Sequence, residues 1–260
     1  MRGAATALGW ITTTAELAPQ MAPSRAQAPQ QKETKMLKLY YHPTPNSTKV
    51  AVLLEELELP YEVATIDIMK GEQHTPEFRK VNPNAKLPAI IDDGVTVFDS
   101  HAILLYLAEK HDKFLPQDRA ARAATYSWLE FVATGLSPFS GQAAHFLHYA
   151  PEDLPYAKNR YVREVERHYR VLDERLGASK FLAGEDYTIA DVALYGWAAS
   201  AGFIFGAKGL DDYPHVTRFV DEMNARPAVA RALQLKAKHA LKSELDEQAM
   251  RAMFPQNFAA

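Results

Sequence analysis

The alternation of apolar and polar residues becomes regular at Met36, where it predicts a strand, a helix and a second strand. Met36–Tyr41 has strand composition, and a Pro-Thr-Pro-Asn turn follows it. Lys49–Leu59 then carries apolar residues at positions i, i+3, i+4 and i+7, the pattern of an amphipathic helix. Tyr61–Ile68 is typical of a second strand. Since such crossovers are right-handed, the two strands should lie parallel in one sheet.

A short helix, a hairpin and a longer helix are expected next. The short helix is centred on Glu77–Lys80, in a stretch punctuated by glycine, proline and asparagine. Leu87–Ile91 and Thr96–Phe98 flank an Asp-Asp-Gly turn, which is a strong hairpin signal. Ser100 is expected to cap the helix that follows. This order of elements matches an α/β thioredoxin-like domain, which we assign to residues 36–112.

Strand patterns end after this domain, and the rest of the chain predicts helices. An all-helical C-terminal domain is expected at residues 118–245, with Lys110–Gln117 as the linker and a C-terminal tail at residues 246–260. Thr188 and Asp191 have the spacing of a capping box at the start of an apolar helix. The predicted helices are Arg119–Gly135, Pro155–Leu176, Ile189–Phe205 and Tyr213–Leu235.

Residues 1–35 differ from the rest of the chain in composition. They are rich in Ala, Thr, Pro and Gln and show no sustained helical or strand period, so we expect them to be disordered. Two interpretations stay open: a targeting leader, or an upstream start with Met36 as the true first residue. The apolar run near the N-terminus is interrupted and weak as a signal-peptide core, which favours the second interpretation.

Composition excludes several classes of function. The chain has 29 Lys and Arg against 32 Asp and Glu without a basic block, so nucleic acid is not an expected partner. No uninterrupted run of about 18 apolar residues predicts a membrane span. Cysteine is absent, so a thiol that takes part in chemistry must arrive with a ligand. His145 and His148 are close in sequence but lack carboxylates at a matching spacing, and we expect no metal.

Three motifs in order carry a resemblance to a known family. They are Asn84–Pro88, Phe98–Ile103 and Ala183–Asp191, and together with the domain order they resemble the glutathione transferase superfamily. Pro43–Asn46 and Lys70–Gln73 look like its bacterial nu class, whose known chemistry is glutathione-dependent disulfide-bond reduction. The resemblance implies glutathione as co-substrate, bound by a thioredoxin-like domain, with a second substrate pocket shaped by the helical domain.

The resemblance also implies which residues bind glutathione. They are Gln73, Lys86, Leu87, Pro88, Asp99 and Ser100. Pro88 should follow a cis peptide bond, and the Leu87 backbone should pair with the cysteinyl part of the tripeptide. Asp99 should hold the γ-glutamyl ammonium, and Ser100, at a helix N-terminus, the γ-glutamyl carboxylate. At the other end of the tripeptide, a cation and an amide should bind the glycyl carboxylate and peptide group.

Activation of the glutathione thiol needs hydrogen-bond donors. Lowering the thiol pKa by two units from about 8.5 makes about three-quarters of it thiolate at neutral pH. The candidates at the first strand–helix junction are Tyr41, Thr44, Asn46 and Ser47. The resemblance points to the Thr44 hydroxyl and the Asn46 amide as the catalytic groups. Tyr41 ranks third, because strand alternation turns it toward the core.

Two classes of function are consistent with these residues. The first is a glutathione-dependent transferase or disulfide-bond oxidoreductase acting on disulfides, peroxides or electrophiles, with detoxification as its role. The second is a glutathione-transferase-like binding or regulatory protein without significant catalysis. The intact set of site residues favours the enzyme. The resemblance further implies a cytoplasmic homodimer that acts on small molecules and uses neither nucleic acid nor membrane as a partner.

Overall fold

A four-stranded sheet occupies the first half of the computed structural model, which describes residues 36–239 and 241–258. The predicted leader at residues 1–35 lies outside the described residues. The strands are β1 (Leu37–Tyr41), β2 (Tyr61–Thr65), β3 (Ala89–Asp92) and β4 (Val95–Phe98). Their order is β2-β1-β3-β4, with β1 parallel to β2 and β3 antiparallel to its neighbours. The predicted parallel pair and hairpin are therefore confirmed.

Helices cover the sheet and make up the remainder of the described chain. They are α1 (Pro45–Glu56), α2 (Pro76–Val81), α3 (Ser100–His111), α4 (Arg119–Phe131), α5 (Ser137–Ala144), α6 (Pro155–Ala178), α7 (Ile189–Ala198), α8 (Gly202–Phe205), α9 (Pro214–Asn224), α10 (Pro227–Lys238) and α11 (Glu247–Met253). Two π-helical turns, Val132–Leu136 and His145–Tyr149, precede and follow α5. The α/β portion followed by helices agrees with the predicted fold class.

Helix boundaries differ from the predicted ones for local reasons. Helix α1 begins at Pro45 rather than Lys49, because Thr44 is its N-cap and proline is favoured at the first position. The helix predicted over Tyr213–Leu235 is divided, because Pro227 starts a new helix and has no N–H to continue the old one. The helix predicted over Ile189–Phe205 breaks after α7, where the Ser200 hydroxyl hydrogen-bonds a backbone carbonyl.

Helix α7 forms the centre of the core. All ten of its residues are buried, as expected for a helix that is apolar on every side. The predicted capping box of Thr188 and Asp191 is present, and Asp191 Oδ1 also accepts from Leu182 N at 2.8 Å. The stretch Ile189–Lys208 is long and apolar enough to cross a membrane, but 67% of its most apolar window is buried within the protein. A core helix of a globular protein has the same properties.

Residues 241–258, which we call the C-terminal strap, return to the α/β portion. Helix α11 packs on the 3₁₀ turn Ile68–Lys70, and Lys242 N donates to Asp67 Oδ2 at 3.0 Å. The Ala252 carbonyl accepts from Gln73 Nε2 at 3.1 Å. Within the described part, the predicted tail is therefore an ordered element that covers the segment after β2.

The capping box gives a stability prediction. Asp191→Ala leaves the buried N–H groups of Leu182 and Thr188 without an acceptor, so the free energy of unfolding should fall by about 2–4 kcal/mol. Asp118→Ala is the matched control, because Asp118 caps α4 at an exposed position and its loss should cost about 1 kcal/mol. Urea unfolding of both variants measures the difference. Equal losses would contradict a special role for Asp191.

Candidate functional site

Two adjoining cavities open where the N-termini of α1 and α3 meet, and we call them together the cleft. Their volumes are about 330 Å³ and 210 Å³, and Asn46, Asp99 and Ser100 line both. The larger cavity is also lined by Asn82, Asn84, Lys86, Leu87, Pro88 and Phe98. The smaller cavity is also lined by His101, Ala133, Ser137 and Pro138. The cleft thus brings together all the predicted site residues except Thr44 and Gln73.

Asn46 lies at the junction of the two cavities because of the way α1 begins. Pro45 occupies the first helical position and has no N–H, so Asn46 contributes the first backbone donor of the helix. The Asn46 side-chain Oδ1 is buried and has no hydrogen-bond partner among the described residues. Since Oδ1 only accepts hydrogen bonds, the donors that Asn46 can offer to an anionic ligand at this positive end of the helix are its Nδ2 group and its backbone N–H.

Thr44 lies next to the cleft but is engaged within α1. Its hydroxyl donates to Ser47 Oγ at 3.2 Å and accepts from Ser47 N at 3.4 Å, which makes it the N-cap. To donate to a ligand, the Thr44 hydroxyl must give up the bond to Ser47 Oγ. Tyr41 is only 2% exposed, and burial raises its pKa to about 12. The prediction that Tyr41 turns toward the core is confirmed.

The N-terminus of α3 forms the second side of the cleft and corrects one prediction. Asp99, not Ser100, is the N-cap, because Asp99 Oδ1 accepts from the backbone N–H groups of His101 and Ala102 at 2.9 and 3.3 Å. Asp99 has φ 75° and ψ 130°, a sparsely populated conformation for a residue with a Cβ. Ser100 is already the first helical residue, and its side chain remains available to the cleft.

The loop before β3 forms the far wall of the larger cavity. The peptide bond between Leu87 and Pro88 is cis, as the resemblance implied. Asn82 organises this loop, since its Nδ2 donates to the Lys86 carbonyl at 2.7 Å and its Oδ1 accepts from Asn84 N at 2.9 Å. The Lys86 side chain is exposed at the mouth of the cavity. Asn82 was not among the predicted site residues, yet it both lines the larger cavity and orders this loop.

Gln73 is not among the residues that line the cleft. It is 4% exposed and is held under the C-terminal strap by its hydrogen bond to the Ala252 carbonyl. The predicted role of Gln73 at the glycyl end of glutathione therefore has no geometric support from the cleft lining. Its contact with the strap was not foreseen, because the two residues are 179 positions apart.

A polar cluster behind the smaller cavity was missed by the sequence analysis. The fully buried Lys49 has its Nζ 3.0 Å from His101 Nε2 and donates to Ser137 Oγ at 3.1 Å. Burial lowers the pKa of Lys49 to about 7 and that of His101 to about 3. One signal was available: Lys49 precedes Leu53 by four residues and therefore falls on the apolar face of α1.

Metal ligation has no support in the part of the chain that the structure describes. No group of three or more His, Cys, Asp or Glu side chains there is arranged to hold a metal ion. His145 and His148 take part in aromatic packing instead. The His145 ring lies 4.9 Å from that of Phe254 in the strap, and the His148 ring stacks 4.2 Å from that of Phe203.

Comparisons with known proteins match most of the described chain. Residues 35–109 match the family model of the glutathione S-transferase N-terminal domain, and residues 137–227 match that of the C-terminal domain. The disulfide-bond oxidoreductases YfcG and YghU of Escherichia coli K12 are each 44% identical, covering 78% and 75% of this chain and 96% and 73% of their own. A glutathione transferase family member from Pseudomonas fluorescens pf-5, crystallised with two glutathione bound, superposes with a TM-score of 0.73 at 40% identity, covering 78% of this chain and 94% of its own.

The capping geometry of α3 separates two neighbouring residues. Asp99→Ala should lower the free energy of unfolding by about 1–2 kcal/mol, because it removes the cap and places alanine at positive φ. Asp99→Asn keeps an N-cap oxygen and should stay within about 0.5 kcal/mol of the wild type. Ser100→Ala should also stay within about 0.5 kcal/mol of the wild type, since Ser100 does not cap the helix. Denaturant unfolding measures the free energy of unfolding of all three variants. If Ser100→Ala lowered it as much as Asp99→Ala does, Ser100 would be the N-cap after all.

Proposed function

Because this chain belongs to the glutathione S-transferase family, we propose that it binds glutathione in the cleft and uses the thiol to reduce disulfide bonds. The observation that carries the proposal is that Asn46, Asp99 and Ser100 line two cavities at once. The larger cavity is suited to glutathione, and the smaller one to the group that the thiol attacks. Asn46 lies where the two meet, so the sulfur belongs beside it.

The larger cavity offers one group for each part of glutathione. The Asp99 carboxylate pairs with the γ-glutamyl ammonium, and the Ser100 hydroxyl with the N-terminus of α3 binds the γ-glutamyl carboxylate. The Leu87 backbone, just before β3, pairs with the cysteinyl part. The exposed Lys86 ammonium binds the glycyl carboxylate at the mouth. These pairings direct the sulfur toward Asn46 and the N-terminus of α1.

Disulfide reduction then follows from thiol–disulfide exchange. The thiolate of bound glutathione attacks one sulfur of the substrate, forming a mixed disulfide while the other sulfur leaves as a thiolate and takes a proton. A second glutathione thiolate attacks the glutathione sulfur of the mixed disulfide, which releases the second substrate thiol and glutathione disulfide. Two glutathione molecules are oxidised and one disulfide is reduced. The protein contributes orientation and thiolate stabilisation, and it needs no cysteine of its own.

Disulfides are the substrate class we favour among those considered, because the two Escherichia coli relatives are named as disulfide-bond oxidoreductases. Peroxides and carbon electrophiles require the same thiolate and are secondary candidates. We propose a cytoplasmic location on the basis of the family resemblance alone. A binding or regulatory protein without significant catalysis remains the alternative, and it would bind glutathione without forming the thiolate.

A homodimer is proposed on the basis of the exposed edge of the sheet. Val95 and Phe98 on the edge strand β4 are 49% and 42% exposed, more than expected for apolar residues on a strand that faces only solvent. A second copy that covers this edge would bury them. The same edge borders the cleft through Phe98.

Light scattering at micromolar concentration should give about twice the 29.1 kDa mass of one chain. Val95→Asp should shift the protein toward the monomer, because burial of an unpaired carboxylate at an interface is costly. Tyr156→Asp is the control, since Tyr156 is 83% exposed and lies in the helical portion, away from β4. A monomer mass for the wild type would remove the dimer proposal.

Replacement of Asn46 tests the catalytic site. Asn46→Ala should lower the disulfide-reductase turnover by about 10-fold or more, because a hydrogen bond to a charged group contributes about 1.5–3 kcal/mol. Thr44→Ala should lower the turnover less, since the Thr44 hydroxyl already donates to Ser47 Oγ. Tyr41→Phe should lower the turnover least of the three, because Tyr41 is buried in the core.

Turnover is measured at saturating glutathione for each variant, and the ultraviolet absorbance of the bound thiolate is titrated in parallel. A regulatory protein would bind glutathione without this absorbance and without turnover in the wild type. If Tyr41→Phe alone abolished the thiolate while Asn46→Ala kept it, the sulfur would lie beside a tyrosine and the assignment of Asn46 would be wrong.

A further inference from the structure

Lys49 has a buried ionisable group that none of the proposed chemistry uses. Burial lowers its pKa to about 7, so an anion bound nearby would raise the fraction of Lys49 that is protonated near neutral pH. Its side chain is 0% exposed, and the two side chains it contacts, His101 and Ser137, are uncharged at neutral pH. Burial of an ammonium group without an anion beside it costs several kcal/mol. A methionine or leucine would fill the same space without that cost, so the charge is not explained by packing.

The position of Lys49 places its charge behind the smaller cavity. Lys49 follows Asn46 by three residues and lies one turn further along the same face of α1. Both side chains that Lys49 contacts, His101 and Ser137, line this cavity, as does Asn46. One layer of side chains therefore separates the ammonium group from the space beside Asn46.

Helix α7 keeps the charge in this place. Gly196 packs against the aliphatic part of Lys49 so closely that a Cβ at Gly196 would lie 2.8 Å from Lys49 Cγ. The aliphatic part of the side chain is therefore packed against α7, and the ammonium group lies behind the residues that line the smaller cavity.

The other charged groups around Lys49 leave its charge uncompensated when a ligand binds. From α3, the Asp99 carboxylate attracts Lys49 through space and neutral His101 faces it directly. From α10, Arg226 and Arg231 are paired with Glu56 and Glu55 at the far end of α1, and α7 presents Gly196. An ammonium group of the ligand that pairs with Asp99 offsets that carboxylate, so an anionic group of the ligand would then be the main partner for protonated Lys49.

We propose that Lys49 is a positioning residue of the cleft, whose fixed ammonium group favours the thiolate form of glutathione bound beside Asn46. The inference rests on the proposed glutathione site and adds a source of charge to it. Lys49 touches neither substrate: it holds His101 and Ser137 in the cavity wall and acts on the sulfur through space. The low dielectric of the interior makes such an interaction stronger than it would be in water.

Two substitutions separate the charge of Lys49 from its hydrogen bonds. Lys49→Gln keeps an amide donor, whereas Lys49→Met removes both charge and donor. Both should raise the pKa of bound glutathione by about one unit, which is about a 10-fold loss of thiolate at pH values well below the wild-type pKa. Lys38→Gln is the matched control, because it removes the same charge from a partly exposed position in β1, where Lys38 pairs with Glu62, and should leave the thiol pKa unchanged.

A measurement on the wild type makes the test independent of whether these variants fold. Coupling between two charges is reciprocal, so the thiolate must raise the pKa of Lys49 as much as Lys49 lowers that of the thiol. Carbon-13 NMR of labelled lysine side chains follows the titration of Lys49 in three samples: the protein without ligand, the protein with glutathione, and the protein with S-methylglutathione. Glutathione should raise the pKa of Lys49 by about one unit more than S-methylglutathione, which has no ionisable thiol.

The outcomes distinguish this inference from the proposed function. If wild type and Lys49→Gln form the thiolate with the same pKa, and both ligands shift Lys49 equally, the inference is overturned while the glutathione site stands. If the wild type binds no glutathione, both fail. Loss of stability in Lys49→Met with an unchanged thiol pKa would also overturn it, because Lys49 would then serve only the packing of α1.

Discussion

The approach of α7 to the first turn of α1 is the contact on which the cleft depends. A Cβ at Gly196 would fall on the carbonyl oxygen of Pro45, so only glycine allows the two helices to lie this close. Glycine within a helix costs about 0.5–1 kcal/mol relative to alanine, and here the close approach offsets it. Asn46 and Lys49 belong to the turn that this contact fixes. Their distances from α3 and α5 follow from it.

The direction of the helices around the cleft determines which charges it favours. Both α1 and α3 present their N-termini to it, so backbone N–H groups and helix dipoles favour negative charge there. Asp99 is the exception, and its conformation shows that its place is imposed by its surroundings, since φ 75° is strained for aspartate. A ligand with an ammonium group and several anionic groups, such as glutathione, fits this distribution of charge.

Local patterns explain what the sequence predicted correctly. The strands, the hairpin and the capping box depend on residues a few positions apart, and the Leu87–Pro88 and Asp99–Ser100 motifs occur within single turns or loops. The contacts that were missed span the chain: Lys49 reaches Ser137 over 88 positions, and Gln73 reaches Ala252 over 179. The periodicity of apolar residues carries no information on contacts between residues so far apart in the chain. Pro227 was a readable local signal, and the division of the helix there follows from its missing N–H.

The C-terminal strap also sets an order in which the structure can be completed. The strap follows the segment Asp67–Gln73 by more than 160 positions, so the hydrogen bond from Gln73 to Ala252 cannot form until the ribosome has made the strap. The sheet and α1 can associate before then, because β1, β2 and α1 are close in sequence. Until then Gln73 lacks the partner that it has in the folded structure. Docking of the strap is therefore a later step than assembly of the sheet with α1.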